Sequence, residues 1–94
     1  MIRSFADSET ERISTGGRSR KLPPDIQQTA RRKLRQMNRV KAPHELAVPR
    51  GNRLEELKGD RKGTYSIRIN DQWRITFRWR DGDAHDVRIE DYHS

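Results

Sequence analysis

The 94-residue chain contains no cysteine, which excludes a disulfide framework and a zinc site built on thiolates. Charged residues make up 37% of the chain and hydrophobic residues only 30%, but the apolar residues fall into regularly spaced runs between residues 22 and 92, as in a folded domain. Because no stretch approaches the ~18 apolar residues of a membrane helix, we expect a single cytoplasmic domain over residues 1–94, without membrane contact.

The first half of the chain predicts one strand and two helices. Residues 2–5 read as a short opening strand, and residues 8–13 as a helical turn. A longer helix should begin within residues 22–25, because proline is tolerated in a first turn and Asp25 suits the positive end of the helix dipole. The apolar stripe of this helix recurs at spacings of four, four and three residues: Ile26, Ala30, Leu34 and Met37.

The positive charge is concentrated around this helix. The formal net charge of the chain is +7, whereas residues 12–50 hold eleven Lys and Arg against two acidic residues, which gives +9. Such a segment is typical of a surface that binds a polyanion, although a solvated helix face or an acidic protein partner would account for the same charge. The RNA-binding residues predicted on the helix are Arg31, Arg32, Lys33 and Arg35.

The apolar period changes in the second half of the chain from that of a helix to that of a strand. Residues 43–46 predict a short helical turn, and residues 49–52 predict a loop. Leu54 and Leu57 flank a short strand, and a charged, glycine-bounded turn over residues 58–63 follows it. The helix-rich and strand-rich parts of the chain therefore meet near residue 53.

Three longer strands are predicted from alternating side chains. Residues 64–70 and 73–79 alternate between apolar and polar, residues 81–82 are an Asp-Gly hairpin signal, and residues 87–89 lie in the last strand. The predicted fold class is therefore α+β, a compact domain in which an N-terminal strand and two helices precede an antiparallel β-meander. We expect one face of that sheet to pack against the long helix.

Alternation also predicts an arginine-rich face on the other side of the sheet. Four arginines on one open face exceed what solubility requires, so we expect a phosphate-binding groove there. Asp86, Glu90 and Tyr92 are interleaved with these arginines. The four predicted arginines are Arg68, Arg74, Arg78 and Arg88.

The last strand ends in Asp91-Tyr92-His93, which is the candidate catalytic group. An imidazole titrates near neutral pH and can give or take a proton in RNA cleavage. A phenol beside it can orient a 2′-hydroxyl or stack on a base. The alternative is a frayed tail with an incidental histidine. His44 and His85 are interpreted as surface residues, because the first lies in a connecting loop and the second near the Asp-Gly hairpin.

Metal-dependent chemistry has little support in the sequence. No paired histidines or clustered carboxylates occur at ligand spacing, and acidic residues are everywhere mixed with basic ones. We therefore predict no metal and no cofactor. In a metal-independent nuclease the 2′-hydroxyl attacks its own phosphodiester, and Arg and Lys stabilise the anionic transition state.

Several motifs together resemble the HigB toxins, also called plasmid maintenance system killer proteins, of the RelE/ParE superfamily. The likeness covers nearly the whole chain, and residues 52–55 look like the GraT-type branch. The motifs are Leu57-Lys58-Gly59-Asp60-Arg61, Tyr65-Ser66-Ile67-Arg68, Trp73-Arg74-Ile75-Thr76-Phe77 and Asp91-Tyr92-His93, together with Met1-Ile2-Arg3-Ser4-Phe5 and Arg20-Lys21-Leu22-Pro23-Pro24.

The resemblance implies a compact domain similar to the microbial RNases and a toxin of a type II toxin-antitoxin system. Such a toxin is a ribosome-dependent endoribonuclease that cuts mRNA in the decoding site of the 70S ribosome, in contact with rRNA. A HigA-type antitoxin with a helix-turn-helix domain would neutralise it, and operator DNA would be contacted only through the antitoxin. The antitoxin would inhibit either by covering the arginine face or by binding elsewhere and blocking entry to the ribosome.

The resemblance also assigns roles to single residues. His93 corresponds to the acid or base, with Tyr92 and Asp91 beside it, and Lys58 and Arg74 correspond to phosphate and transition-state contacts. Some HigB toxins carry a histidine two residues before the Leu-Lys-Gly-Asp motif, where this chain has Glu55. Glu55 is then either a general base or a strand residue that pairs with an arginine (Arg74 or Arg53).

The strand period imposes one condition on this site. Alternation puts Tyr92 on the arginine face and His93 on the opposite one, so the strand must end or bulge there for both to act together.

Two other functions remain open alternatives: a non-catalytic inhibitor that binds RNA or the ribosome, and a gyrase-directed toxin of the ParE type. The Asp91-Tyr92-His93 ending favours the nuclease.

Overall fold

The computed structural model describes residues 1–92 and confirms the predicted α+β class; His93 and Ser94 lie outside the described residues. Two helices precede a four-stranded antiparallel sheet whose strand order follows the chain. The elements are α1 (Ser8–Ser14), α2 (Pro24–Arg39), β1 (Glu55–Glu56), β2 (Thr64–Arg68), β3 (Trp73–Arg80) and β4 (Asp83–Asp91). No helix within residues 1–92 is both long and apolar enough to cross a membrane.

The N-terminal segment lies along the free edge of β4. Two isolated parallel bridges, Ile2 with Ala84 and Phe5 with Val87, replace the full strand that the sequence predicted there. The amide of Arg3 donates to the carbonyl of Ala84 at 2.8 Å, which ties the first residues to the sheet. The segment therefore covers an edge that would otherwise present unpaired backbone groups.

Both helices begin where the sequence predicts. The side chain of Asp7 accepts from the amide of Thr10 and caps α1, and α2 starts at Pro24 as expected. The stripe of α2 is buried against the apolar face of the sheet, and each of its four residues is at most 2% exposed. The core that they form with the sheet includes Ile67, Ile75, Phe77, Val87 and Ile89.

A β-bulge interrupts the pairing of β3 with β4, so the strict alternation of side chains that the sequence predicted does not hold there. The register shifts between Thr76 and Arg78, and Asp86 adopts a left-handed backbone with φ of +52°. As a result Ala84 and Val87, three residues apart, both face the core. Beyond the bulge Arg88, Glu90 and Tyr92 keep the parity that alternation predicted.

The arginine face of the sheet is only partly open, which corrects another prediction, because its centre is covered while Arg78 and Arg88 remain exposed. Ser66 and Thr76 at its centre are buried, and Arg74 is only 7% exposed. The 3-10 turn Gly59–Arg61 folds over this face, and the guanidinium of Arg61 makes two hydrogen bonds to Glu90, at 2.9 and 3.0 Å. Glu90 also accepts a hydrogen bond from the hydroxyl of Thr76 at 2.7 Å, so the long side chains of Arg61 and Glu90 cover this part of the face.

Candidate active site

Arg74 is the buried centre of the candidate site. It lies near the start of β3, where its Nε donates to the hydroxyl of Ser66 on the adjacent strand β2. Its Nη2 donates to the carbonyl of Arg53 at 2.7 Å, and Arg53 has a left-handed backbone with φ of +46°. A cation this deeply buried needs such acceptors. The loop before β1 and strand β2 therefore fix the orientation of the guanidinium.

Tyr92 and Glu55 complete a cluster around this guanidinium. The hydroxyl of Tyr92 donates to Oε1 of Glu55 at 2.8 Å, and the same Oε1 lies 3.8 Å from Nη2 of Arg74. The carbon Cζ of Arg74 lies 5.1 Å from the centroid of the Tyr92 ring, within cation–π range. The fold thus joins residues from β1, β3 and the end of β4, and Tyr92 lies on the arginine face as its parity predicted.

The cluster changes the proton affinity of two of its members. Burial lowers the pKa of Arg74 and the charge of Glu55 opposes that change. The hydrogen bond to Glu55, followed by the negative charge of that carboxylate, raises the pKa of Tyr92. Tyr92 is therefore a protonated phenol at neutral pH, which can donate a hydrogen bond or stack but cannot serve as a base.

A shallow cleft opens beside this cluster. It encloses 360 Å³, and the described residues that line it include three arginines, Arg53, Arg68 and Arg74, and one carboxylate, Asp71. Arg68 is ion-paired with Asp71, while the Tyr92 ring forms part of the wall. A planar base could stack on the ring while a phosphate meets the guanidinium groups, since arginine offers several donors in a fixed plane.

Other predicted catalytic residues lie away from Arg74 or beyond the described residues. Asp91 accepts a hydrogen bond from Nε2 of Gln72 at 2.8 Å and lines a different cleft. Lys58 is exposed at the start of the turn between β1 and β2. His93 lies outside the described residues. The roles of all three stay predictions.

Two of the cations predicted to bind RNA bind carbonyl groups of the protein itself. Arg31 donates from Nε to the carbonyl of Ile13 at 3.0 Å and from Nη2 to that of Gly17 at 2.5 Å. Lys33 donates from Nζ to the carbonyl of Arg68. These bonds fasten α2 to α1 and to the sheet, so both residues have a structural role whether or not RNA contacts them.

The remaining predicted RNA contacts are solvent-exposed. Arg32 and Arg35 project from α2, and Arg78 is exposed on β3. Arg78 lines a separate cleft together with Arg61 and Arg88, apart from the Arg74 cleft. The predicted arginine face is therefore divided between two clefts, and only Arg68 and Arg74 of its four arginines line the one beside Tyr92.

Sequence analysis missed two residues that hold Arg74. Ser66 has the strand parity of Arg68, so its position on the arginine face was readable, but its hydrogen bond to Arg74 required the register between β2 and β3. The carbonyl of Arg53 points at Arg74 from a left-handed backbone, and no local sequence signal indicates that conformation for an arginine. Within residues 1–92 no group of three His, Cys, Asp or Glu side chains is arranged to hold a metal ion.

The chain is similar to known toxins over nearly its whole length. Residues 3–93 match the family model described as HigB-like toxin, a RelE-like toxin of the type II toxin-antitoxin system HigB. Toxin HigB-1 of Vibrio cholerae serotype O1 is 39% identical over 85 residues, which cover 89% of this chain and 90% of that protein. Endoribonuclease HigB of Proteus vulgaris is 51% identical over 41 residues, which cover 44% of this chain and 45% of that protein.

Solved structures share the fold at low sequence identity. Crystal structures of E. coli YafQ match with TM-scores of 0.58, for a histidine-to-glutamine mutant, and 0.56, for the protein from strain BL21(DE3). The identities are 12% and 11%, and each match covers 99% of this chain and 96% of the other. The likeness extends to the whole arrangement of two helices against an antiparallel sheet.

Proposed function

This chain belongs to the family of HigB-like, RelE-like toxins of type II toxin-antitoxin systems, and we propose that it is an endoribonuclease that arrests translation by cutting mRNA on the ribosome. The observation that carries the proposal is the Arg74 guanidinium, buried beneath Tyr92 in a cleft lined by arginines. The name of the Proteus vulgaris relative supports the same activity.

The proposed reaction is an attack of a 2′-hydroxyl on the adjacent phosphorus. The 2′-oxygen forms a bond to phosphorus while the bond from phosphorus to the 5′-oxygen breaks, leaving a 2′,3′-cyclic phosphate and a free 5′-hydroxyl. A base takes the proton of the 2′-hydroxyl and an acid gives a proton to the 5′-oxygen. Negative charge builds on the non-bridging oxygens, where the positive charges of Arg74 and Arg68 favour the transition state.

The proton transfers are assigned to His93, with Glu55 as the second candidate. His93 follows directly after Tyr92 in the chain, and an imidazole can act as either acid or base at neutral pH. The carboxylate of Glu55 already accepts from Tyr92 and lies close to Arg74, which supports a positioning role over that of the base. Tyr92, protonated at neutral pH, would stack on a base and orient the 2′-hydroxyl.

Lys58 and Asp91 have supporting roles in this proposal. Lys58 is exposed in a turn next to β1, from which its long side chain would reach a phosphate of a bound strand. Asp91 precedes Tyr92 and His93 in the motif and would orient the imidazole. No step in this mechanism passes through a metal or a cofactor.

The proposed partners are nucleic acid and an antitoxin. The target is mRNA on the 70S ribosome, with rRNA contacts made by the basic surface of α2, so the site of action is the cytoplasm. Membership of a toxin-antitoxin family implies an antitoxin, and we propose the HigA type with a helix-turn-helix domain. Operator DNA would then be contacted through the antitoxin.

The test is cleavage of a defined mRNA on purified ribosomes, read by primer extension. The intact chain should yield cut products only when ribosomes are present, and His93→Gln should abolish them. His44→Gln is the matched control, because His44 is exposed in the 3-10 turn Pro43–Ala47. Arrested translation with uncut mRNA would instead indicate a non-catalytic inhibitor, and blocked DNA replication a gyrase-directed toxin.

A further inference from the structure

A second cleft lies between α2 and the sheet, on the far side of Arg68 from the candidate active site. It encloses 640 Å³ and is walled by the second half of α2, the end of β2, and the 3-10 turn Arg50–Asn52 with Pro49 before it, where the sequence predicted a loop. The walls carry four cations and, among the described residues that line it, no carboxylate. The cations are Arg32, Lys33, Arg39 and Arg68.

The Lys33 ammonium lies at the wall of this cleft with unused donor capacity. Its Nζ donates to Oδ1 of Asn52 at 2.9 Å and to the carbonyl of Arg68 at 2.5 Å. An ammonium carries three N–H donors, so these two bonds leave one donor for a ligand. Both present partners are neutral, and the charge of Lys33 is therefore not compensated by either of them.

The electrostatics of Lys33 agree with that geometry. Burial lowers its pKa most, and the positive charges of Arg32, Arg68 and Arg74 lower it further. Within residues 1–92, Asp71 pairs with Arg68 and Glu55 with Arg74, but no carboxylate pairs with Lys33 or Arg32. Cations brought this close together raise the free energy of the folded protein, since each disfavours the charged form of the others. An anion in the cleft would remove that cost, which is the expected property of a binding site and not of a structural ion pair.

The cleft is built on a fixed frame. Asn52 is fully buried, and its Nδ2 donates to Oε1 of Gln36 at 3.2 Å and to the carbonyl of Leu46 at 3.1 Å. This one side chain therefore joins α2, the 3-10 turn Pro43–Ala47 and the loop before β1. Because the walls are held together from inside, an anion would meet cations that are already in place.

We propose that this cleft binds a backbone phosphate of the RNA strand whose scissile phosphate lies at Arg74. The inference rests on the proposed function and deepens it by giving the strand a path. Arg68, which is ion-paired with the exposed Asp71, lines both clefts, so cationic side chains follow one another from Arg74 to Arg39. Phosphate contacts of this kind set the register of a strand without reading its sequence.

Charge elsewhere on the surface makes the path one-sided. The cleft between α1 and the last residues of β4 is lined, within residues 1–92, by the acidic residues Asp7, Glu9, Glu90 and Asp91 and by two cations, Lys21 and Arg88. A polyanion that enters the Arg74 cleft is therefore attracted toward α2 and repelled from α1. An acidic protein would meet the same cations, but continuity with the Arg74 cleft favours the nucleic-acid strand.

Binding of uncleavable single-stranded RNA oligonucleotides tests the path. With 2′-O-methyl oligonucleotides of two to eight nucleotides, the affinity of the unmodified protein should rise at the length that reaches the second cleft. The double substitution Arg32→Gln with Arg39→Gln should remove that rise, weaken the longer oligonucleotides about tenfold and lower the salt slope by ~0.7 per lost phosphate contact. The dinucleotide should bind both proteins equally.

The control is one protein carrying both Arg18→Gln and Arg20→Gln, which removes the same two charges from exposed residues before the opposite end of α2. It should keep the length dependence and the affinity for long oligonucleotides. Equal length dependence and equal salt slope in the double variant would overturn the inference. So would a double variant that binds RNA normally but no longer binds the antitoxin, which would identify the cleft as a protein surface.

Failure of this inference is distinguishable from failure of the proposed function. The oligonucleotides cannot be cut, so their binding does not depend on catalysis. If the double variant loses the length effect in binding while the unmodified protein leaves mRNA uncut in the primer-extension test, the path stands and the nuclease is rejected. Ribosome-dependent cleavage with no effect of the double substitution on binding would leave the nuclease standing and reject the path.

Discussion

The hydroxyl of Tyr92 donates to the carboxylate of Glu55 at 2.8 Å, across 37 positions of the chain. This bond holds the phenol ring over the guanidinium of Arg74, whose Cζ lies 5.1 Å from the ring centroid. Because the carboxylate also lies 3.8 Å from Nη2 of Arg74, it orders both neighbours at once. The arrangement predicts how changes at each of these residues will affect the protein.

Glu55→Gln should preserve most of the cleavage activity. A general base contributes roughly 10²–10⁴-fold to a rate, whereas a glutamine at this position keeps an acceptor for Tyr92 and should cost less than about tenfold. The pKa of Tyr92 should fall, because the neutral amide no longer stabilises the protonated phenol. Tyrosinate absorbance, corrected with Tyr92→Phe, measures this pKa, and primer extension measures cleavage. A loss beyond a hundredfold would identify Glu55 as the base.

Arg74→Lys should fold and yet lose ~10²-fold or more of its cleavage rate. A lysine keeps the positive charge but cannot make the separate Nε and Nη2 hydrogen bonds that orient this group. Single-turnover cleavage gives the rate, and circular dichroism verifies the fold. Arg80→Lys at the far end of β3 is the matched control. Equal rates in both variants would show that charge alone is sufficient.

Ser66→Ala should reduce stability and activity together. The hydroxyl of Ser66 is fully buried and accepts from Nε of Arg74, so its loss leaves a charged donor without that acceptor. We expect destabilisation of about 1–3 kcal/mol by urea unfolding. Binding of a dinucleotide should weaken because the guanidinium is no longer held in one orientation. Ser14→Ala at the end of α1 serves as the control, and identical results for both variants would remove Ser66 from the site.

The stability of the fold should fall in acid partly because of Glu90. The hydrogen bonds from Arg61, and after them that from Thr76, lower the pKa of Glu90. A carboxyl whose pKa is lower in the folded than in the unfolded protein stabilises the fold above the unfolded pKa, and this contribution is lost as the pH falls through the folded pKa. Urea unfolding between about pH 6 and pH 3 should therefore be less steep in pH for Glu90→Gln.

Glu56→Gln provides the comparison for that acid titration. Glu56 is an exposed carboxylate of β1 whose side chain makes no hydrogen bond or ion pair within residues 1–92. Its variant should retain the acid dependence of the unmodified protein. An acid dependence in Glu90→Gln equal to that of the unmodified protein would mean that the Arg61 pair adds nothing to stability.

The sequence by itself determined the elements and the parity of the site. The spacing of Ile26, Ala30, Leu34 and Met37 predicted α2, and alternation predicted the meander, because both patterns are local and repeat at the period of the backbone. The same alternation placed Arg68 and Arg74 on one face with Tyr92. Those predictions needed no knowledge of which segments meet.

Only the tertiary structure decided what surrounds Arg74 and which cations remain available. The register between β2 and β3 brought Ser66 under the guanidinium, and the loop before β1 brought the carbonyl of Arg53. Packing of α2 brings the side chains of Arg31 and Lys33 to backbone carbonyls, while Arg32 stays exposed. A count of charges along the sequence does not distinguish these three residues. The physical reason is that burial and hydrogen bonding depend on segments distant in the chain, whose contacts leave no periodic signal in either segment.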